Sequence, residues 1–461
     1  MRVLLIGSGG REHALAWKLS RDADVSEVVC APGNPGIAKV ASVVDVAVDD
    51  YVGLLGLAER ERPDLVVVGP EAPLAEGLAD ELRAMGVPVF GPDQDAAQLE
   101  SSKAFTKAFC TRHAIPTAEF AIFDDVDAAK AYVGARPGPY VLKADGLAAG
   151  KGVVIVGEAD EAKSELDAFF SGKFGDASAT VVIEEFMEGQ EVSFFALTDG
   201  TTALPLIGCQ DHKRVGEGDT GPNTGGMGAY SPAPVFTEAM EERVMADIIG
   251  PTVSGMAAEG MPFSGVLFAG LMITSDGPKL IEYNVRFGDP ECQVVMRRLA
   301  SDLAPYMLAC ANGTLADTAP LRWFDDAVVN VVMATQGYPG AYEKGSVIEG
   351  VDAAEAMEEV IVFHAGTRIG RNCGKLKANG GRVLGVTASA STLKDAVERA
   401  YAAVDAIDWP EGFVRRDIAH RALGWSGDTD GLVIVSSSGL TGGPQAGSRR
   451  TRPRLPGQAG Q

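Results

Sequence analysis

Arg2-Val3-Leu4-Leu5-Ile6-Gly7-Ser8-Gly9-Gly10-Arg11-Glu12 opens the chain with an apolar run, a glycine turn and the start of a helical pattern. That order marks a buried strand passing straight into a helix. Outward from it the pattern recurs. Residues 28–30, 65–68 and 87–90 read as further strands, and 12–19, 52–61 and 74–85 carry helical spacing of Leu, Ala and Met. Strands alternating with helices predict a parallel, doubly wound sheet over residues 1 to about 101. Around 92–98 the pattern breaks, and Ser101 is placed to cap a helix running to about 113.

The next stretch reads differently. Strands are predicted at 140–143, 153–156, 180–184, 192–197, 266–273 and 280–284, with helices at 159–170, 238–259 and after Glu291. Strand-to-strand steps dominate, which predicts antiparallel α+β architecture. A third, mixed unit begins at 327–335 and ends in a helix at 393–407. From Ser426 the composition turns to Gly, Ser, Pro and Arg with almost no periodicity, so an unstructured appendage is expected.

The bulk numbers limit what such a chain does. Its 461 residues suffice for roughly two to four domains. Forty Lys+Arg against 63 Asp+Glu leave a formal charge of −23. So acidic a surface repels phosphate backbones, and nucleic acid is not expected as a partner. The N-terminal apolar run meets Arg11 and Glu12 too soon for a signal peptide. The longest apolar stretch, 265–273, falls short of the roughly 18 residues a membrane span needs. The six cysteines are scattered without a Cys-x-x-Cys pair, so buried thiols in a reducing cytosol are expected.

Four segments carry candidate chemistry. Gly7-Ser8-Gly9-Gly10-Arg11-Glu12 invites a dinucleotide reading, but Glu12 stands where the third glycine belongs. No acidic residue follows the second strand to hold a ribose. A turn offering N–H groups to another anion and a purely structural turn both remain open. Asp145-Gly146-Leu147-Ala148-Ala149-Gly150-Lys151-Gly152 is one residue short of a P-loop and joins two strands, so it reads as a flap over phosphates or as a plain hairpin. Lys143, ending the preceding strand, adds a cation there. The turn at Gly189 after 181–188 offers backbone groups to a purine edge, with Glu191 for ribose, or is simply an acidic hairpin. In Lys279-Leu280-Ile281-Glu282-Tyr283-Asn284-Val285-Arg286, Glu282, Asn284 and Arg286 share one strand face. Glu and Asn are hard oxygen ligands suited to Mg²⁺, and Arg clamps a transferring phosphoryl. A solvated polar face is the alternative.

Together the segments resemble the ATP-grasp superfamily, and within it the phosphoribosylamine–glycine ligases. The resemblance runs in order from residue 1 to about 424. It includes Gly9-Gly10-Arg11-Glu12-His13, Pro32-Gly33-Asn34, Gly69-Pro70-Glu71-Ala72-Pro73-Leu74, Ser102-Lys103-Ala104-Phe105 and Asp211-His212-Lys213-Arg214. Its most diagnostic parts are Pro222-Asn223-Thr224-Gly225-Gly226-Met227-Gly228 and Arg286-Phe287-Gly288-Asp289-Pro290-Glu291, with Asn379-Gly380-Gly381-Arg382 further on. Pro35 and the stretch 425–461 depart from the pattern.

The resemblance implies a pre-ATP-grasp, Rossmann-like domain at 1–101, an ATP-grasp fold at 102–324, a small mixed α/β domain at 325–424 and a tail at 425–461. It implies a monomeric cytoplasmic ligase that uses ATP with Mg²⁺ or Mn²⁺ and acts on glycine and 5-phosphoribosylamine, without a nucleic-acid or membrane partner. On that pattern Lys103 and Lys143 contact ATP phosphates beneath a flap that includes Gly146, Gly150, Lys151 and Gly152. Glu184, Glu185 and Phe186 meet adenine, and Glu191 the ribose. Glu282 and Asn284 hold the metal. Arg286 stabilises an acyl phosphate and Asp211 holds glycine's ammonium. Phosphoribosylamine lies near Gly9, Gly10, Gly380, Gly381 and Arg382. Another carboxylate–amine ligase of the superfamily, or a nucleotide-binding regulator without turnover, is the rival reading.

Overall fold

The computed structural model describes residues 1–147 and 152–424. Its first unit is a five-stranded parallel sheet in the order Ser42–Val43, Glu27–Pro32, Arg2–Gly7, Leu65–Val68, Val89–Phe90. The central strands are unbroken Val, Leu and Ile runs because helices cover both faces of the sheet. The two-residue strand Ser42–Val43 is too short to show a period and escapes the sequence reading. The single helix expected at 74–85 is two, Glu71–Ala75 and Leu78–Ala84, split where Gly77 turns left-handed at φ +85°. Strand order reverses beside Arg2–Gly7, so the carboxyl ends of that strand and Leu65–Val68 open a crevice of the kind where open α/β sheets bind ligands.

Two short helices, Gln98–Ser101 and Lys103–Arg112, lead into the second unit. Ser102, not Ser101, is the cap; its Oγ accepts the N–H of Phe105 at 3.0 Å. Two four-stranded antiparallel sheets follow, as the strand-to-strand pattern predicts. One comprises Phe120–Phe123, Val181–Glu185, Tyr140–Ala144 and Val153–Val156. The other comprises Ala203–Pro205, Gln190–Asp199, Ser264–Thr274 and Gly277–Asn284. The helix expected at 238–259 widens by a turn at Met245–Ile249, just ahead of Pro251, which cannot donate an N–H into the ladder.

The third sheet is assembled from both sides of residue 324. Its antiparallel order is Gln210–Asp211, Gly228–Ser231, Ala327–Thr335, Arg382–Ala390, Val360–His364. Helix Leu393–Asp405, capped by Thr392, packs on it. This sheet docks on the first unit through a buried contact. The Nδ1 of His13 accepts the N–H of His364 at 2.7 Å, and Asn34 donates to the carbonyls of Ser8 and His364. Five of the six cysteines are buried and free, and burial raises each of their thiols.

Candidate active site

One cleft of about 440 Å³ lies where the three units meet. Lys103, Lys143, Gly146, Gly152, Glu184, Glu185, Phe186, Glu191, Asp211, Glu282, Asn284, Arg286 and Arg382 all line it. Gly150 and Lys151 lie outside the described residues, as does the tail from residue 425. Four other candidates stand behind the wall. A Cβ on Gly10 would fall 2.6 Å from Gln293 Nε2, one on Gly9 2.8 Å from Glu12 Oε2, and one on Gly381 2.3 Å from Tyr338; Gly380 packs on Gly366. At these glycines the backbone approaches its neighbours too closely for a side chain.

The glycine turn after the first strand is already filled. Glu12 turns back so that Oε2 accepts the Gly9 N–H at 2.6 Å, and its Oε1 meets Arg11 Nε at 2.6 Å. A carboxylate thus occupies the place that a pyrophosphate takes in a dinucleotide fold, which removes that reading on physical grounds.

On the opposite side, Lys143 Nζ stands 2.9 Å from Glu184 Oε1, and Lys107 Nζ stands 3.0 Å from Glu184 Oε2. Glu184 is buried between the two lysines, so its carboxylate is committed to them. Phe186 supplies an apolar face to the same corner. Lys103 Nζ donates to the Gly146 carbonyl at 2.9 Å. Burial lowers its hold on its proton while Glu282 works the other way. Gly146 takes φ +125°, a backbone state that L side chains rarely adopt, at the start of the glycine-rich turn.

Strand Gly277–Asn284 carries a bulge. Leu280 pairs with Leu271 and Glu282 with Gly270, leaving Ile281 as the extra residue. Beyond it Glu282 and Asn284 both reach the cleft. Burial would push the Glu282 carboxyl up, but Lys213, Lys143, Lys103 and Arg286 together hold it below its ordinary range. An ionised carboxylate with an amide oxygen beside it is a donor set that fits a hard divalent cation finishing its shell with water and phosphate. Arg286 is fixed between Glu71 at 3.1 Å and Glu100 at 2.8 Å.

Asp211 is the outlier. Burial raises its carboxyl far above the usual carboxylate range; Lys213 opposes this while Glu291 and Glu191 reinforce it. Its neighbour Lys213 is claimed by Glu191 at 3.0 Å. Such a carboxylate is stabilised by whatever cation reaches it. Arg382 donates to the carbonyls of Gly225, Gly226 and Asp289 and sits 3.4 Å from the Asp289 carboxylate.

Arg11, Glu71, Glu100, Lys107, Lys213, Asp289 and Glu291 also line the cleft. Sequence reasoning gave them no role. Arg11, Glu71, Lys213, Asp289 and Glu291 sit inside motifs already singled out, so their charge was a usable signal. Glu100 and Lys107 lie on helices with no local mark.

The chain matches three sequence profiles in series: phosphoribosylglycinamide synthetase N domain over 1–100, ATP-grasp (A) domain over 101–292 and C domain over 328–421. A phosphoribosylamine–glycine ligase of Mesorhizobium japonicum is 59% identical over 92% of this chain and 99% of its own length.

The chain belongs to the phosphoribosylglycinamide synthetase family.

A chloroplastic phosphoribosylamine–glycine ligase of Arabidopsis thaliana is 54% identical over 90% of this chain and 79% of its own. The crystal structure of the phosphoribosylamine–glycine ligase of Thermotoga maritima superposes with a TM-score of 0.79, covering 90% of this chain and 100% of that one at 32% identity. Biotin carboxylase of Campylobacter jejuni shares the fold alone, with a TM-score of 0.70 at 14% identity over 92% and 95% of the two chains. The phosphoribosylglycinamide synthetase pattern therefore spans all three units around the cleft.

Proposed function

We propose that this chain joins glycine to 5-phosphoribosylamine, cleaving ATP to ADP and phosphate and forming glycinamide ribonucleotide. One observation carries the reading. Two lysines, a carboxylate–amide pair, a caged arginine and an under-compensated aspartate converge on one cleft in a phosphoribosylglycinamide synthetase chain. A carboxylate is a poor acyl donor, so glycine's carboxylate first takes the γ-phosphoryl of ATP. The amine of phosphoribosylamine then attacks the acyl carbon, and phosphate leaves.

In such a transfer, positioning and charge neutralisation do most of the work. Lys103 and Lys143 balance the ATP phosphates. The backbone of 184–186 and Phe186 receive the base, and Glu191 the ribose. Asp211 takes glycine's ammonium, which relieves the burial of its own charge. That places the carboxylate of glycine toward Arg286, which stabilises the acyl phosphate. Glu282 and Asn284 hold Mg²⁺ or Mn²⁺, and a bound divalent ion neutralises charge on the transferring group. Phosphoribosylamine occupies the switch-point crevice by Asp289 and Arg382, whose wall is backed by the close-packed Gly9, Gly10, Gly380 and Gly381.

Among the described residues no helix is long and apolar enough to cross a membrane. The proposed enzyme is a cytoplasmic monomer working on small molecules. ADP release with ATP, glycine and phosphoribosylamine is the test. Release that requires both glycine and phosphoribosylamine is expected. Release with another carboxylate in place of glycine would make the chain a different amide-forming ligase, and no release would make it a nucleotide-binding regulator.

A further inference from the structure

His212, Asp219 and His420 each bring one ligand atom within 4.8 Å of the others, which is the composition of a metal site. Their hydrogen bonds assign them elsewhere. Nε2 of His212 accepts the backbone N–H of Ala419 at 2.9 Å, so the ring proton sits on Nδ1, facing Asp219 Oδ1 at 3.7 Å. Asp219 is met by Arg415 at 2.9 Å and by Arg421 at 2.8 Å. Two fixed guanidiniums on the only carboxylate of the set repel a metal ion.

The same contacts describe something else. Asp211 closes the strand Gln210–Asp211, and next to it the backbone of His212 bonds to Gly228 and Met227. Asp211 and Lys213 look into the cleft, and His212 looks away from it, fully buried against residues 415–421. We propose that residues 415–421 form a latch on the outer face of the site wall, and that Arg421 is the positioning residue through which it sets Asp211.

Arg421 Nη1 donates to the Asp211 carbonyl at 3.1 Å while its Nε donates to Asp219 at 3.2 Å. Arg415 Nη1 spans the Arg214 carbonyl at 3.0 Å and Asp219. Asp417 Oδ2 accepts the Gly218 N–H at 2.8 Å. Every one of these bonds lands on 211–219. At the heart of the contact two residues other than glycine, Asp219 at φ +55° and Ala419 at φ +70°, hold left-handed backbone. Strain of that kind persists where the surroundings over-determine it, and it concentrates at functional sites.

The latch rests on the assignment of Asp211 to glycine, and the experiment separates the two. Steady-state kinetics for all three substrates are measured on the full chain and on Arg421→Met, Arg421→Lys, Asp211→Asn and Arg416→Ala. Arg416 lies on the same segment, but its side chain reaches out to Asp405. Loss of a charge-assisted bond behind Asp211 raises the KM for glycine roughly tenfold or more in Arg421→Met, with the KM for ATP within about twofold. Arg421→Lys, which keeps the charge but not the fork that bridges two acceptors, recovers part of the loss, and Arg416→Ala matches the parent chain. Equal rises in all three KM values would overturn the latch, and so would an unchanged glycine KM in a well-folded Arg421→Met. If Asp211→Asn leaves glycine untouched while Arg421→Met raises its KM, the assignment of glycine to Asp211 falls, and the route from Arg421 through Asp211 falls with it. If Asp211→Asn raises the glycine KM and Arg421→Met does not, the latch alone falls.

Discussion

Glu282 is the residue whose loss should be cleanest. Glu282→Gln keeps size and shape but removes the charge that four cations around it hold ionised. Turnover should fall at least about a hundredfold while the chain stays folded, since a metal ion stabilises transferring charge by several kcal/mol. Near-normal activity at modest Mg²⁺ would remove the metal assignment. Arg382 is a finer case. Its guanidinium already spans three carbonyls, yet it still borders the crevice. Arg382→Ala should raise the KM for phosphoribosylamine by one to two orders of magnitude, equivalent to a charge-assisted contact of roughly 1.5–3 kcal/mol, and leave ATP almost unmoved. A parallel rise for all substrates would make it a structural brace. Much of this site was legible because strand alternation puts Glu282 and Asn284 on one face. The commitment of Glu184 to Lys107 and Lys143 was not, because the helix 103–112 and the strand 181–185 meet only in three dimensions.

Elements show the same division. Strands with continuous apolar runs, such as Leu65–Val68, Val153–Val156 and Ala327–Thr335, appear where the sequence places them. Short strands such as Ser42–Val43, Gln210–Asp211 and Arg214–Gly216 did not announce themselves, since two or three residues carry no period and only tertiary pairing fixes them. The docking of the first helix on the third sheet is likewise invisible in sequence, and it turns on a glycine. A Cβ at Gly36 would lie 2.3 Å from His13 and 2.6 Å from His364, whose rings are buried and bonded. Gly36→Ala should therefore cost about 1–3 kcal/mol by overpacking. A urea midpoint identical to that of the parent chain would show that the helix and sheet part easily.

At the scale of the whole molecule the buried imidazoles set an acid limit. Burial lowers His13 to about 3, and His212 and His364 to about 4. A base with less proton affinity folded than unfolded contributes its stability above about pH 6.5, and that contribution drains as pH falls toward the folded values. At pH 5.5 each of the three should cost about 1.4 kcal/mol relative to neutral pH. Asp211, raised instead of lowered, works in the opposite sense, but it is one group against three. Urea unfolding at pH 7.5 and 5.5 should differ by a few kcal/mol, and equal midpoints would contradict the assignment of neutral buried rings. The sheet that holds His364 has a further consequence. Because Gly228–Ser231 lies beside Ala327–Thr335, with Ala229 opposite Asn330, its two halves are written a hundred residues apart in the chain. A gene divided at residue 324 would yield two polypeptides, each with half a sheet and an open, sticky edge. Neither half is a transplantable module, yet the two carry matching edges. Expressed together they should find each other and restore activity, so the seam in the sequence marks a place where the molecule can be dissected without being a place where it comes apart.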